Sequence, residues 1–286
     1  MKKMGMLLAL AMMGVAVLSG CGKKEETGSS QTGSQTGSAS GSQTSSVVKA
    51  TSVSLQTVKD SGMLKVGTEA GFAPYEFIGD SGDIVGIDID IAQAIADKLG
   101  VKLKIENMTF DGALVGVQQG KVDMVIAGVS VDEDRKKVMD FSDNYVDTKE
   151  VVVVNAAEPA VKEATAEGLK DKKVGVQRGN IADLWVSNPD NTAVSEIVRY
   201  EKFAQAATDL KNNKIDAIVM DEAPAKELVE ATGDALAIIE GEPLFVDQYA
   251  VALQKGNTEL TAVVNEVIKE LKDSGEFDKI VEKYSK

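Results

Sequence analysis

Gly86-Ile87-Asp88-Ile89-Asp90-Ile91-Ala92-Gln93-Ala94-Ile95-Ala96-Asp97-Lys98-Leu99 is the stretch on which the fold turns. Isoleucines at 87, 89 and 91 alternate with acids in the period of a strand, whereas Ile91, Ile95 and Leu99 recur every four residues, as on one face of a helix. The spacing predicts a strand running directly into an amphipathic helix, a junction typical of an α/β chain. Working outward, Met63–Thr68, Val101–Glu106, Met124–Ala127 and Ile215–Met220 read as buried parallel strands.

The N-terminus speaks to the compartment. Lys2 and Lys3 precede an apolar run from Met4 to Leu18, too short for a typical spanning helix. Its end, Leu18-Ser19-Gly20-Cys21, resembles a lipobox, in which the cysteine thiol is acylated and becomes the first residue of the mature chain. An ordinary cleaved secretory signal or a retained helical anchor are the alternatives. We therefore expect a lipoprotein signal peptide over 1–20 and lipidation at Cys21. Cys21 is the only cysteine and there is no histidine, which excludes an internal disulfide, cysteine-based zinc clusters and the common transition-metal constellations; no cofactor is expected.

Gly, Ser, Thr and Gln dominate Thr27–Ser46, a composition that cannot bury enough apolar surface to offset the entropy of ordering, so residues 21–50 read as a flexible tether. As a coil of about 28 residues it reaches roughly 30 Å. Behind it lie about 235 residues, enough for one large or two medium domains. With 5% aromatic residues and a net charge of −14, nucleic acid is not an expected partner. An echo points to two halves of similar design: Lys65-Val66-Gly67-Thr68 recurs as Lys173-Val174-Gly175-Val176, and Lys121-Val122-Asp123-Met124-Val125-Ile126 as Lys214-Ile215-Asp216-Ala217-Ile218-Val219. Buried parallel strands rich in Val and Ile produce short echoes of this kind without duplication; the matching order in both halves favours duplication. Between the halves, Lys149–Asn155 carries the run Val151–Val154 and reads as a strand crossing from one to the other, with Gln248–Leu253 as the return. A final helix follows, with Leu260, Val263, Val264, Val267, Ile268 and Leu271 on one face.

The wording of 86–99, and the resemblance from about Leu64 to Tyr284, is similar to bacterial solute-binding protein family 3, the extracytoplasmic receptors of polar amino acid ABC importers. The resemblance implies a type II periplasmic-binding-protein-like fold: two parallel-type sheets flanked by helices and joined by two crossing strands, with lobe one formed by 60–147 plus 248–286 and lobe two by 149–245. Ligands of open α/β sheets bind at the carboxyl ends of the strands, which selects four loops.

Glu69-Ala70-Gly71-Phe72-Ala73-Pro74-Tyr75-Glu76-Phe77 places two acids and three aromatics in nine positions, which fits a pocket wall or a surface loop with its rings turned into the core. The resemblance implies that Glu69, where the family usually has Asp, meets the ligand side chain and that Phe72 stacks on it. In Asn107–Asp111, Asp111 could cap the next helix, and Phe110 is either core or, by resemblance, the opposite pocket wall. Gly128-Val129-Ser130-Val131-Asp132-Glu133-Asp134-Arg135 offers helix-end amides beside a guanidinium, a pairing suited to a carboxylate. On a solvated surface Arg135 would merely pair with Asp132 or Glu133. The resemblance implies that Gly128, Ser130 and Arg135 bind the ligand α-carboxylate and that Asp221 pairs with its α-ammonium. Asp221 also precedes a helix it could cap. Gln177 and Asn180 face the cleft from the second half and are expected to tune side-chain choice, while Ile181 departs from the family's usual Thr.

The resemblance implies a monomeric receptor that closes about a hinge and delivers its ligand to a membrane permease and ATPase, and Glu69 with its aromatic neighbours leads us to expect a basic or polar L-amino acid. Acidic ligands are disfavoured by Glu69. Family-related enzymes, dehydratases or peptidoglycan-cleaving proteins, are the alternative, as is the ligand domain of a sensor; neither a histidine nor a catalytic appendage supports the enzyme.

Overall fold

The computed structural model describes residues 53–285, which belong to one compact unit. The expected signal peptide, Cys21 and the tether lie outside the described residues. No helix among the described residues is long and apolar enough to cross a membrane.

The described residues open with α1 (Leu55–Ser61) and β1 (Met63–Thr68), then a small antiparallel sheet of β2 (Gly71–Phe72), β3 (Glu76–Ile78) and β4 (Ile84–Val85). It continues through α2 (Ile87–Leu99), β5 (Lys102–Asn107), α3 (Phe110–Gln118), β6 (Met124–Val125), α4 (Glu133–Val138) and β7 (Met139–Phe141). After β8 (Val146–Asn155) come β9 (Lys173–Gln177), α5 (Ile181–Ser187), β10 (Glu196–Tyr200), α6 (Phe203–Lys211), β11 (Ala217–Asp221), α7 (Glu222–Ala231), β12 (Leu236–Ile238) and β13 (Phe245–Tyr249). The chain ends with β14 (Ala252–Gln254), α8 (Thr258–Ser274) and α9 (Glu276–Tyr284). One sheet has the order β5-β1-β6-β14-β7, the other β10-β9-β11-β8-β12, with β13 also pairing β8. This is the two-lobed α/β fold, its lobes bridged by the antiparallel pair β8 and β13, in which Phe245 lies opposite Glu150 and Tyr249 opposite Val146.

The echo in the sequence is an echo in hydrogen bonding. Asp123 accepts from the Lys65 amide at 2.7 Å, and Asp216 from the Lys173 amide at 2.8 Å. In return the Asp123 amide donates to Lys65 O and the Asp216 amide to Lys173 O, each at 2.8 Å. Each repeat thus pins one strand of its sheet, β1 or β9, to the turn before a parallel neighbour, β6 or β11.

Two expectations are corrected. Ile87–Ile91 is not a strand: α2 begins at Ile87, straight after Gly86. Gly86 has φ +137°, and a Cβ there would lie 2.1 Å from Tyr75 O, so only glycine permits the close chain crossing that launches the helix. The acids that gave the false alternation occupy the first helical turn, where negative charge is favoured. The side chain of Asp88 turns inward, accepting from the Gly128 amide and the Tyr145 hydroxyl, both at 2.9 Å. Likewise the return strand is two strands, β13 and β14, interrupted at Ala250–Val251. The break lets β13 pair with β8 and β14 with β6 and β7, so one passage of chain serves both sheets.

A hydrophobic cluster is continuous across the lobes, taking in Ile91 and Ile95 of α2, Phe72, Tyr145 and Tyr249, and Phe203 and Ile218 of the second half. Burying a side chain such as Ile95 fully contributes roughly 1.5–3 kcal/mol.

Candidate functional site

Residues at the carboxyl ends of β1, β6, β9 and β11, together with the starts of α3 and α5, converge where the lobes meet. Glu69, Phe72, Phe110, Gly128, Ser130, Arg135, Gln177, Asn180 and Asp221 are all buried. The lobes are closed on one another here. Gln177 Nε2 donates to Glu69 Oε2 at 3.1 Å, and Lys202 Nζ lies 3.2 Å from Glu69 Oε1. The Phe72 ring packs between Tyr75 and Phe203, with 6.0 Å between centroids on each side. Burial raises the Glu69 pKa above the usual carboxylate value, opposed by Lys202 and Gln177.

Arg135 has a relative exposure of 6%, which removes it from the solvated-surface reading. The ion pair with Asp132 is present, Nε to Oδ2 at 3.1 Å, but the guanidinium also donates from Nη1 to Ser130 O and from Nη2 to Gly179 O, both at 2.7 Å. Its carbon stands 5.7 Å from the Phe110 ring centroid, so Phe110 is the floor beneath the guanidinium. A guanidinium carries five N–H groups. With three engaged, one remains on each terminal nitrogen, the pair that a carboxylate can bridge. Burial lowers the Arg135 pKa, while Asp132, Asp247 and Asp221 favour the charged form.

Gly128, at φ +56°, packs so closely that a Cβ would lie 2.7 Å from Phe72 Cε1. Because its amide serves Asp88, the carbonyl is the group it offers to a ligand. The expected cap is corrected: Thr109, not Asp111, is the N-cap of α3, its Oγ1 accepting from the Gly112 amide at 3.3 Å, while Asp111 lies in the first turn and its carboxylate accepts from the same amide at 2.9 Å. Asn180 caps α5 through Oδ1, accepting from the Asp183 amide at 2.9 Å, and its buried Nδ2 has no partner.

Asp221 precedes α7 yet makes no side-chain cap bond. It accepts instead from the Tyr249 hydroxyl and, at 3.4 Å, from Thr148 Oγ1. Directly opposite it on β8 stands Glu150, fully buried. Burial lifts the pKa of Asp221 to about 6 and that of Glu150 well above the usual value. In the first lobe Glu76 and Asp88 form a similar buried pair, Asp88 raised to about 6 and Glu76 held well above the usual carboxylate value, again by burial first.

Among the described residues, six carboxyl side chains are buried, Glu69, Glu76, Asp88, Glu150, Asp183 and Asp221, against one cation, Arg135. Buried charge needs a partner or a proton. Asp183 has Arg199 at 2.9 Å, and Glu69 has Lys202; the rest form a site short of positive charge. No grouping of three or more Asp, Glu, Cys or His among the described residues is placed to hold a metal. Sequence reading missed Lys202, Phe203, Tyr249 and Glu150. Only Glu150 carried a signal, an acid at the head of a β-branched strand that must be buried.

The sequence profile of the bacterial extracellular solute-binding proteins, family 3, matches residues 64–286. The L-cystine-binding protein TcyJ of Escherichia coli K12 is 35% identical over 231 residues, covering 80% of this chain and 85% of that protein. The arginine-bound form of truncated ArgBP from T. maritima is 41% identical with a TM-score of 0.71, covering 76% of this chain and 99% of that one. AbpA from Streptococcus pneumoniae, an amino acid ABC transporter substrate-binding protein bound to L-arginine, is 38% identical with a TM-score of 0.73, over 80% and 97% of the two chains.

Proposed function

The chain belongs to the bacterial extracellular solute-binding proteins, family 3, and from that premise we propose that it is the lipid-anchored receptor of an ABC importer, capturing a basic or polar L-amino acid between its lobes. The observation that carries this reading is Arg135: buried, held by two hydrogen bonds and the ion pair with Asp132, and retaining one N–H on each terminal nitrogen for a carboxylate. Ser130 lines the same site, and the Gly128 carbonyl and Asp221 offer acceptors to an ammonium. Phe72 and Phe110 supply apolar faces; Glu69, Gln177 and Asn180 supply polar groups for the side chain. The cystine and arginine bound by the named relatives share the α-amino acid head that such a set recognises.

A buried zwitterion costs several kcal/mol unless both charges are met. Arg135 stands in one lobe and Asp221 in the other, so only the closed form meets both. Ligand then favours closure about β8 and β13 by its differential affinity for the two forms, and the permease can distinguish loaded from empty receptor. Acylation at Cys21 fixes the receptor to the cell membrane.

The test is a thermal-shift panel of the twenty L-amino acids, ornithine and citrulline on protein refolded to remove carried ligand. A cognate ligand at a hundred times Kd stabilises by about 2.7 kcal/mol, or roughly 5–10 °C for a body of this size. We expect that shift with Arg, Lys, His or Gln, and its loss in Arg135→Ala and Asp221→Ala. No shift with any amino acid overturns the reading.

A further inference from the structure

Glu150 has no part in the set just described, yet it stands at its hinge. On the antiparallel ladder Glu150 lies opposite Asp221 of β11 on one side and Phe245 of β13 on the other, while Thr148 lies opposite Asp247. Side chains alternate along strands, so Thr148, Glu150, Asp221, Asp247 and Tyr249 share one face. Like charges directly opposite on such a face destabilise it.

The surroundings do not supply the missing charge. From β13, Tyr249 donates its hydroxyl to Asp221 and Asp247 adds a third acid. Lys149 of β8 points to the other face, where it pairs with Glu222 of α7 at 3.3 Å. From the β2–β3 loop come Tyr75 and, at the start of β3, Glu76, and from α4 Arg135, which is engaged with Asp132. Neither oxygen of Glu150 has a donor of its own; the group in contact is the Asp221 carboxyl. Two buried carboxyls in contact hold together only through a proton between them.

We propose that Glu150 is the second carboxyl of the ammonium site, that it shares one proton with Asp221 in the unliganded receptor, and that a ligand ammonium binding there expels this proton. The exchange balances: the pair carries one negative charge while it holds the proton, and two once the R–NH3+ group has bound and H+ has passed to solvent. Ligand uptake is thereby tied to pH through a residue of the crossing strand itself. The proposal rests on the assignment of Asp221 to the ligand ammonium.

The experiment is calorimetric titration of the full chain with L-arginine and with L-glutamine, at pH 7, in buffers of different ionisation enthalpy, for wild type and Glu150→Gln. Wild type is expected to release up to one proton per ligand more than Glu150→Gln. Where the pair is protonated before binding, wild-type Kd rises up to about tenfold per pH unit of acidification, with a shallower slope in the variant. Equal proton release in the two proteins, with binding intact, overturns the proposal alone; failure of every amino acid to bind overturns the receptor reading and the proposal with it. A second measurement needs no ligand: 13C NMR titration of glutamate carboxyls, in which the signal lost in Glu150→Gln must titrate well above the usual range. A Glu150 signal fully ionised at pH 6 refutes the shared proton even if the variant proves unstable.

Discussion

Replacing Arg135 with Lys keeps the charge and removes the fork. In the structure the guanidinium reaches Ser130 O and Asp132 in one lobe and Gly179 O in the other, at 2.7, 3.1 and 2.7 Å. A lysine ammonium is a point donor on a flexible stem and cannot span acceptors set around a planar group. Asp132 stays compensated, so the variant folds. Two things are lost: the bond to Gly179 O across the lobes, and one of the two bonds available to a ligand carboxylate. Hydrogen bonds to charged groups contribute about 1.5–3 kcal/mol each. Allowing for partial replacement by Lys, the combined cost to ligand binding is about 2–4 kcal/mol, a Kd weaker by roughly 30- to 1,000-fold. Calorimetry with L-arginine and L-glutamine measures it, beside a thermal melt of the ligand-free protein to separate binding from folding. A Kd within threefold of wild type in a normally folded variant would refute the assignment of Arg135 to the carboxylate.

Gly128→Ala introduces a side chain at φ +56° and sets its Cβ 2.7 Å from Phe72. The backbone alone costs about 1–2 kcal/mol, so a lower melting temperature and weaker ligand binding are expected; an unchanged melt shows that the loop accommodates the methyl group. Glu76→Gln tests the first-lobe acid pair. Because the folded-state pKa of Glu76 is raised by burial, its contribution is fully present below the unfolded value and lost as pH rises through the folded one. The amide variant escapes that loss and should melt higher than wild type at pH 8, with the gap closing towards pH 5; a gap independent of pH contradicts the buried-acid argument. Lys202→Met removes the cation beside Glu69, which is 45% exposed at its side chain and free to swing away. A basic ligand no longer has to displace it, so affinity for arginine should rise by up to about 1 kcal/mol, or fivefold, relative to glutamine; equal changes for both ligands show that the basic side chain does not meet Glu69.

Local pattern announced most of the secondary structure and misjudged one junction for an identifiable reason. Met63–Thr68 is a strand over the expected span because its burial is dictated by apolar residues within it. Ile87–Ile91 alternates just as well, but the crossing of Gly86 against Tyr75 O and the inward turn of Asp88 to the Gly128 amide override the alternation. Those partners are separated from α2 in sequence, so no window over 86–99 contains them. At the site the same boundary holds. The loop of Arg135 alone fits an exposed pair with Asp132, and only the resemblance set it apart; its burial at 6% exposure comes from packing that the loop does not contain. Lys202 was not recognisable, because its meaning depends on Glu69, placed against it only by closure of the lobes.

That dependence alters how Glu69 is to be read. Taken from its loop, the acid argues for a cationic ligand side chain; in the closed structure its charge is already shared by Lys202 and Gln177. Any preference it confers on a basic ligand is therefore a difference between two cations, one of them part of the protein and half exposed, and a difference of that kind is small. The proposed head-group pocket has no such substitute. Asp221 and Glu150 stand opposite one another without a buried cation of their own, and Arg135, in the other lobe, is committed to Asp132. Discrimination for an α-amino acid head should accordingly be strong and discrimination among polar side chains weak, an ordering that follows from which charges the fold neutralises for itself.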